Sequence, residues 1–96
     1  MFAIAFDLDT KETKKYFDHL PQAYQEIKQT LSQFGFDNVQ GSVYTCEAVG
    51  KTDDMANLFQ AILALKALPW FPASVRDLRS FRIEQWSDFT PVIKSS

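Results

Sequence analysis

Ninety-six residues suffice for one two-layer core and are too few for a large α/β enzyme with a cap. Hydrophobic residues make up 46% and aromatics 15%, with nine Phe and two Trp, which excludes a disordered segment. The formal net charge of −2 excludes a broad cationic surface of the kind that holds nucleic acid nonspecifically, so any nucleic-acid contact must be local.

The chain opens on MFAIAFDLDT, a dense apolar run with turn-like flanks that predicts a strand from about Phe2 to Leu8. Alternation puts Phe2, Ile4, Phe6 and Leu8 on a core face and Ala3, Ala5, Asp7 and Asp9 on the other. A face that is small and then acidic suits close approach of a second surface. KETKKYFDHL, residues 11–20, mixes both signs of charge with little periodicity and reads as a mobile loop leading to a helix with Pro21 near its first turn. In PQAYQEIKQTLSQFG, Tyr24, Ile27, Leu31 and Phe34 recur at helical spacing and Gly35 supplies a left-handed stop.

FDNVQGSVYTCEAV reads as an alternating strand: with Val39 and Val43 toward the helices, Gln40, Ser42 and Tyr44 fall on the sheet face that also carries Asp7. Thr52 is placed to cap a second helix with Asp53 and Asp54 in its first turn, and Met55, Leu58, Phe59, Ile62 and Leu65 form its buried stripe. Pro69 ends that helix, and WFPASVRD is a connector in which Ser74 and Asp77 have capping-box spacing. LRSFRIEQW alternates again, with Phe81 and Ile83 inward and Ser80, Arg82 and Glu84 outward. In the tail WSDFTPVIKSS, Phe89, Val92 and Ile93 are apolar enough to pack, as an edge strand on a partner chain.

Strand, helix, strand, helix, strand with the helices on one side is a two-layer α+β plan of a modified ferredoxin-like kind, antiparallel-rich, with residues 1–96 forming one domain. The other sheet face is left bare, and a second copy of the chain would cover it through a two-fold contact. Cys46 is the single cysteine, and no signal segment or apolar run of membrane-spanning length appears. The reading is a soluble cytoplasmic protein without a membrane partner.

An apolar strand ending in D-x-D-x-T is how phosphatases of the haloacid dehalogenase type begin. Lys51 could then balance charge, with Asp53 and Asp54 holding magnesium. Such enzymes need a many-stranded parallel sheet on which their motifs converge, and the chain is too short for one. His19 lies in a charged segment without a nucleophile at a recognisable spacing and reads as a solvated loop residue; Cys46 reads as a small strand residue. Arg76, Arg79 and Arg82 gather within SVRDLRSFRIE, where they could grip phosphates or pair with Asp77 and Glu84. In a dimer stacked on the face of Ala3, Ala5 and Asp7, two Asp7 carboxylates would approach, share a proton or recruit a cation such as Mg2+. A poised base could deprotonate a ribose 2′-hydroxyl, and a bound magnesium could activate water. The plainer use of Asp7 is to cap a turn at the strand end.

The blocks MFAIAFDLD, GFDNVQGSVYT, DDMANLFQAILALKAL and SVRDLRSFRIEQWSDFTPVIK resemble the virulence-associated protein D (VapD) family over nearly the whole chain, the segment from Lys11 to Leu20 excepted. The resemblance implies a fold like that of the small ferredoxin-like dimeric nuclease of CRISPR adaptation systems. It also implies endoribonuclease activity on mRNA, a homodimer and, for some members, the role of toxin beside an antitoxin protein. On this reading Asp7 falls on the family's first-strand catalytic aspartate, whereas members differ at the position of Asp9. Ser42 and Tyr44 are expected to assist Asp7, Gln40, Arg76, Arg79 and Arg82 to bind RNA, and Asp7 to be the point for Mg2+ if one is used. The rival of another class is a non-catalytic dimeric scaffold for a partner protein or nucleic acid, in which Asp7 is structural.

Overall fold

The computed structural model describes residues 1–46, 55–83 and 87–95. Four antiparallel strands form one sheet in the order β2-β3-β1-β4: β1 (Phe2–Leu8) and β3 (Val43–Cys46) at the centre, β2 (Asp37–Gln40) and β4 (Val75–Arg82) at the edges. Two main helices, α2 (Leu20–Ser32) and α3 (Met55–Lys66), are accompanied by the short helices α1 (Thr10–Thr13), α4 (Phe71–Ser74) and α5 (Thr90–Lys94). The fold is α+β of the ferredoxin-like kind, as the order of apolar periods predicts. No helix among the described residues is long and apolar enough to cross a membrane.

β1 is the keel. Phe2, Ile4, Phe6 and Leu8 are buried and enter one core with Ala23, Ile27 and Leu31 of α2 and Leu58, Ala61 and Leu65 of α3. Phe6 stacks on Tyr24 and on Tyr44 with ring centroids 6.2 and 6.0 Å apart, and meets Phe71 edge-on at 6.2 Å. Trp70 packs edge-on to Phe17 and Phe71 while its indole N–H donates to Glu26 Oε1 at 2.9 Å, so the burial of this large ring leaves its polar handle satisfied. Gly35 ends α2 at φ 81°, and a Cβ there would stand 3.4 Å from Cys46 Sγ.

Several expectations are corrected. Residues 37–46 are a hairpin of two short strands: the chain reverses at Gly41 (φ 45°), whose carbonyl accepts from Asn38 Nδ2 at 2.7 Å. The segment read as a mobile loop begins with α1, capped by Asp9. On α3 the inward stripe is Leu58, Ala61 and Leu65, with Ile62 half-buried, while Met55 and Phe59 are 64% and 60% exposed. That helix is apolar nearly all round, so composition does not set its phase, and Ala61 lets it approach the core closely. Ser74 caps no helix, because β4 starts at Val75; its carbonyl accepts from Asp9 N at 2.7 Å. The tail forms α5 rather than an edge strand: Pro91 suits a first turn and Asp88 Oδ1 accepts from Thr90 N at 2.8 Å. Thr52, with its expected cap and the acidic turn of Asp53 and Asp54, lies outside the described residues, as does Glu84.

Candidate active site at the end of the first strand

Asp7 sits near the carboxyl end of central β1, exposed on the sheet face without helices. The ladder with β4 decides its neighbours. Ala3 pairs with Phe81, Ala5 with Arg79 and Asp7 with Asp77; Phe6 pairs with Leu78, but Leu8 pairs with Val75. One residue, Asp7, therefore lies between Phe6 and Leu8, whereas two, Arg76 and Asp77, lie between Leu78 and Val75. Val75 and Leu78 both pack against the core, so the extra residue is a β-bulge that leaves Arg76 and Asp77 together on the helix-free side.

Directly opposed residues of an antiparallel pair hold their Cβ atoms about 4.5–5.5 Å apart, and like charges so placed repel. Arg79, on the same face as both carboxylates, relieves this: its Nε donates to Asp77 Oδ2 at 3.1 Å and Oδ1 at 3.3 Å. Anchoring through Nε leaves the two terminal nitrogens of the guanidinium as a fork suited to a phosphate. Asp7 and Arg79 are diagonal neighbours across the ladder, within reach of one bound phosphodiester.

Just past Asp7, Asp9 is spent on architecture. Its Oδ1 accepts from Glu12 N at 3.0 Å as the N-cap of α1, its carbonyl accepts from Thr13 Oγ1 at 2.7 Å, and its N–H donates to the Ser74 carbonyl. The Glu12 N–H holds the Asp9 carboxyl below the ordinary carboxylate range, and the positive charges of Arg76 and Lys11 act in the same direction. Asp9 is thus a helix cap, and the pair Asp7 and Asp9 is not a phosphatase dyad.

The structure redistributes the other candidates. Tyr44 is 2% exposed and pairs with Ile4 on the helix side, so it does not share a face with Asp7; burial pushes its phenol up, against a smaller lowering from Asn38. The reason is the hairpin: the turn at Gly41 and Ser42 and the register shift between Asn38 and Gln40 reset the alternation, turning Val43 and Thr45 to the Asp7 face beside Ala5 and Ala3. Gln40 pairs with Val43 and keeps its expected face, on the outer strand. Ser42 is a turn residue whose carbonyl accepts from Phe6 N at 3.2 Å, one position from Asp7.

The bulge likewise reverses the expected phase of β4. Phe81 is 45% exposed on the bare face with Arg79, whereas Ser80 and Arg82 turn to the helix side, where Arg82 lies 5.2 Å over the Phe2 ring. Arg76 and Arg79 join Asp7; Arg82 does not. His19 is exposed at the N-cap of α2 and Cys46 is buried 3.8 Å from the Phe34 carbonyl, both remote in role from Asp7. Lys51, Asp53 and Asp54 lie outside the described residues. Sequence reasoning missed Asp77 as a neighbour of Asp7 and Lys11 as a cation near Asp9, because both placements follow from a bulge and a cap. The D-x-x-E spacing of Asp9 and Glu12 was the available signal for the cap.

Among the described residues no group of three or more His, Cys, Asp or Glu side chains is placed to hold a metal. Magnesium is commonly held by one or two carboxylates with substrate phosphates and waters, and Asp7 fits that sparse role as a single anchor.

No family model matches the chain. It is similar over 96 residues to an endoribonuclease VapD homolog of Neisseria gonorrhoeae, 57% identical, covering 99% of this chain and all of the relative. The endoribonuclease VapD of Haemophilus influenzae is 52% identical with the same coverage, and that of Helicobacter pylori is 42% identical over 99% of this chain and all of its own length. With end-to-end matches of this identity, the chain belongs to the VapD family.

Proposed function

We propose that this protein is a cytoplasmic endoribonuclease that cleaves mRNA as a homodimer, with Asp7 as its catalytic group near the dimer seam and Arg79 and Arg76 as phosphate holders. The observation that carries the reading is the register that gathers Asp7, Asp77, Arg79 and Arg76 on the helix-free face, in a chain whose relatives are named endoribonucleases. Support for the dimer comes from that same face: the half-covered Ala5 and Val43 lie on it with the exposed Phe81, so its open part is small and apolar. The role of toxin, with an antitoxin protein as partner, is part of the proposal and rests on family membership alone.

Asp7 acts in this scheme as a general base. Taking the proton of a ribose 2′-hydroxyl lets that oxygen attack the adjacent phosphorus; the bond to the 5′-oxygen breaks, that oxygen takes a proton from solvent water while Asp7 returns its proton to solvent, and a 2′,3′-cyclic phosphate and a 5′-hydroxyl result. Taking a proton from water instead would leave a 5′-phosphate or a 3′-phosphate, according to which bond breaks. Arg79 would steady the negative charge on the phosphoryl oxygens. A magnesium on Asp7 would supply electrostatic stabilisation of the same phosphate. Ser42, whose carbonyl accepts from the N–H of Phe6 next to Asp7, and Gln40 on the outer strand are proposed as flanking contacts.

The test is Asp7→Asn, which keeps the shape and removes the charge. Cleavage of labelled RNA should fall by at least about 100-fold, the scale of a missing general base, with an unchanged melting temperature. A well-folded Asp7→Asn protein that cleaves as fast as wild type would refute the assignment. If the folded wild-type protein cleaves no RNA, with magnesium or with EDTA, the scaffold role takes its place. The product ends distinguish attack by the ribose hydroxyl from attack by water.

A further inference from the structure

The segment after Asp7 is a fixed part of the structure, and its charges have no place in the scheme above. α1 is held to Asp9, at the end of β1, by hydrogen bonds from Glu12 N, Thr13 N and Thr13 Oγ1; Asp9 N–H in turn donates to the Ser74 carbonyl, and Thr13 is wholly buried. With Thr13 inward, Lys11 and Lys14 lie outward, three residues apart and neighbours on one face of the turn. Glu12 is occupied by Lys15 at 3.0 Å, so that pair is internally neutral. Lys11 and Lys14 take no carboxylate within ion-pair distance among the described residues. From the other side, the bulge brings Arg76 to the same place, and both Arg76 and Lys11 stand close enough to act on the Asp9 carboxylate.

The result is a local reversal of sign. Around the end of β1, with the neutral Glu12–Lys15 pair set aside, the molecule carries Lys11, Lys14, Arg76 and Arg79 against Asp7, Asp9 and Asp77, four cations to three anions, on a chain whose net charge is −2. Asp9 is committed to Glu12 N and Asp77 to Arg79, which leaves Lys11, Lys14 and Arg76 as the uncommitted cations at this end of the strand. Two residues of extended strand span about 6.6–6.8 Å, so the cationic turn begins within one nucleotide's reach of Asp7. A helix one turn long has no useful dipole, and the binding power here resides in the side chains.

We infer that Lys11 and Lys14 on α1, with Arg76 across from them, form a phosphate-binding lip that holds the RNA backbone next to the scissile bond. The inference rests on the endoribonuclease reading of Asp7 and adds to it the path of the substrate: one flank of the cleaved phosphate lies on the α1 turn, the other along Arg79. The contacts are to phosphates, so they position the strand without reading its sequence.

Binding and turnover separate the two claims. Binding of a fluorescent single-stranded RNA is measured with the Asp7→Asn protein as background, so that nothing is cleaved, across a series of salt concentrations. Adding Lys11→Ala and Lys14→Ala together should weaken binding roughly tenfold and lower the salt slope by about 0.7 for each phosphate that is no longer neutralised. Lys11→Arg should retain the affinity, because charge and not shape is required. In the Asp7 wild-type background Lys11→Ala should raise KM more than it lowers kcat. Unchanged affinity and salt slope in the double-alanine protein, in a preparation whose wild type cleaves RNA, would overturn the lip and leave the Asp7 reading standing. A wild type that binds RNA with the expected slope and cleaves none would remove the nuclease reading and keep the lip.

Discussion

At the scale of single residues, three arginines close together in sequence divide into two kinds. Arg79 presents its fork beside Asp7 after anchoring its Nε on Asp77, whereas Arg82 lies over the Phe2 ring on the opposite side of the sheet. Arg79→Ala is expected to raise KM for RNA and flatten its salt dependence while leaving the melting temperature within a degree or two, since an exposed ion pair contributes little to stability. Arg82→Ala should do the reverse, costing about 0.5–1 kcal/mol in a denaturant titration as the cation–π attraction disappears, and changing cleavage far less. Equal weakening of RNA affinity in the two variants would contradict the separation of faces. Composition could not sort these residues, because all three are exposed and each has an acid close by in sequence.

The elements explain why some features were legible and others not. β1, α2 and the stop at Gly35 were readable because each obeys one period over many residues, and Phe2, Ile4, Phe6 and Leu8 fill the core as alternation requires. Strict alternation puts Tyr44 and Phe81 on the wrong faces, because it carries one phase through a strand and one extra residue resets it. For Asp9 the family resemblance shows a position at which members differ, and the cap is not legible, since the turn it starts is too short to show a period. Its role gives a pH test. The carboxyl is lowered from the ordinary 3.8 in the folded state, so the cap contributes fully above that value and fades as pH falls through the lower folded one. Hydrogen exchange at the Glu12 amide should therefore be protected at neutral pH, lose protection at strongly acid pH, and lose it at every pH in Asp9→Ala. Asp9→Asn, which still accepts a hydrogen bond, should keep most of the protection without the acid dependence. An Asp9→Ala protein with wild-type protection at Glu12 would show that the turn is held by other means.

For the whole molecule, the question is what covers the sheet. Ala3 is fully buried within one chain by its neighbours on β3 and β4, but Ala5 and Val43 are only half covered and Phe81 is open to solvent. Ala5→Glu puts a charge at the centre of the proposed seam without touching the core side of β1. Sedimentation should show the wild type as a dimer and Ala5→Glu as a folded monomer with reduced RNA cleavage; a variant that remains dimeric would move the seam to another surface. Among the described residues, helix α3, with Met55, Phe59 and Leu63 open to solvent, and helix α5, with Val92 and Ile93 beside Phe89, are further apolar surfaces.

The bulge in β4 has a consequence beyond its local geometry. Side-chain direction in a strand is a matter of odd and even, and the extra residue behaves like a frameshift. Continued regularly from Val75, the strand would send Asp77, Arg79 and Phe81 toward the helices and leave Leu78 in water; with the bulge, Leu78 returns to the core and Arg79 emerges beside Asp7. The chain can therefore change many letters of β4 and retain this cluster, but it cannot change their number between Val75 and Leu78 at the same liberty. Spacing constrains this strand more strictly than identity does.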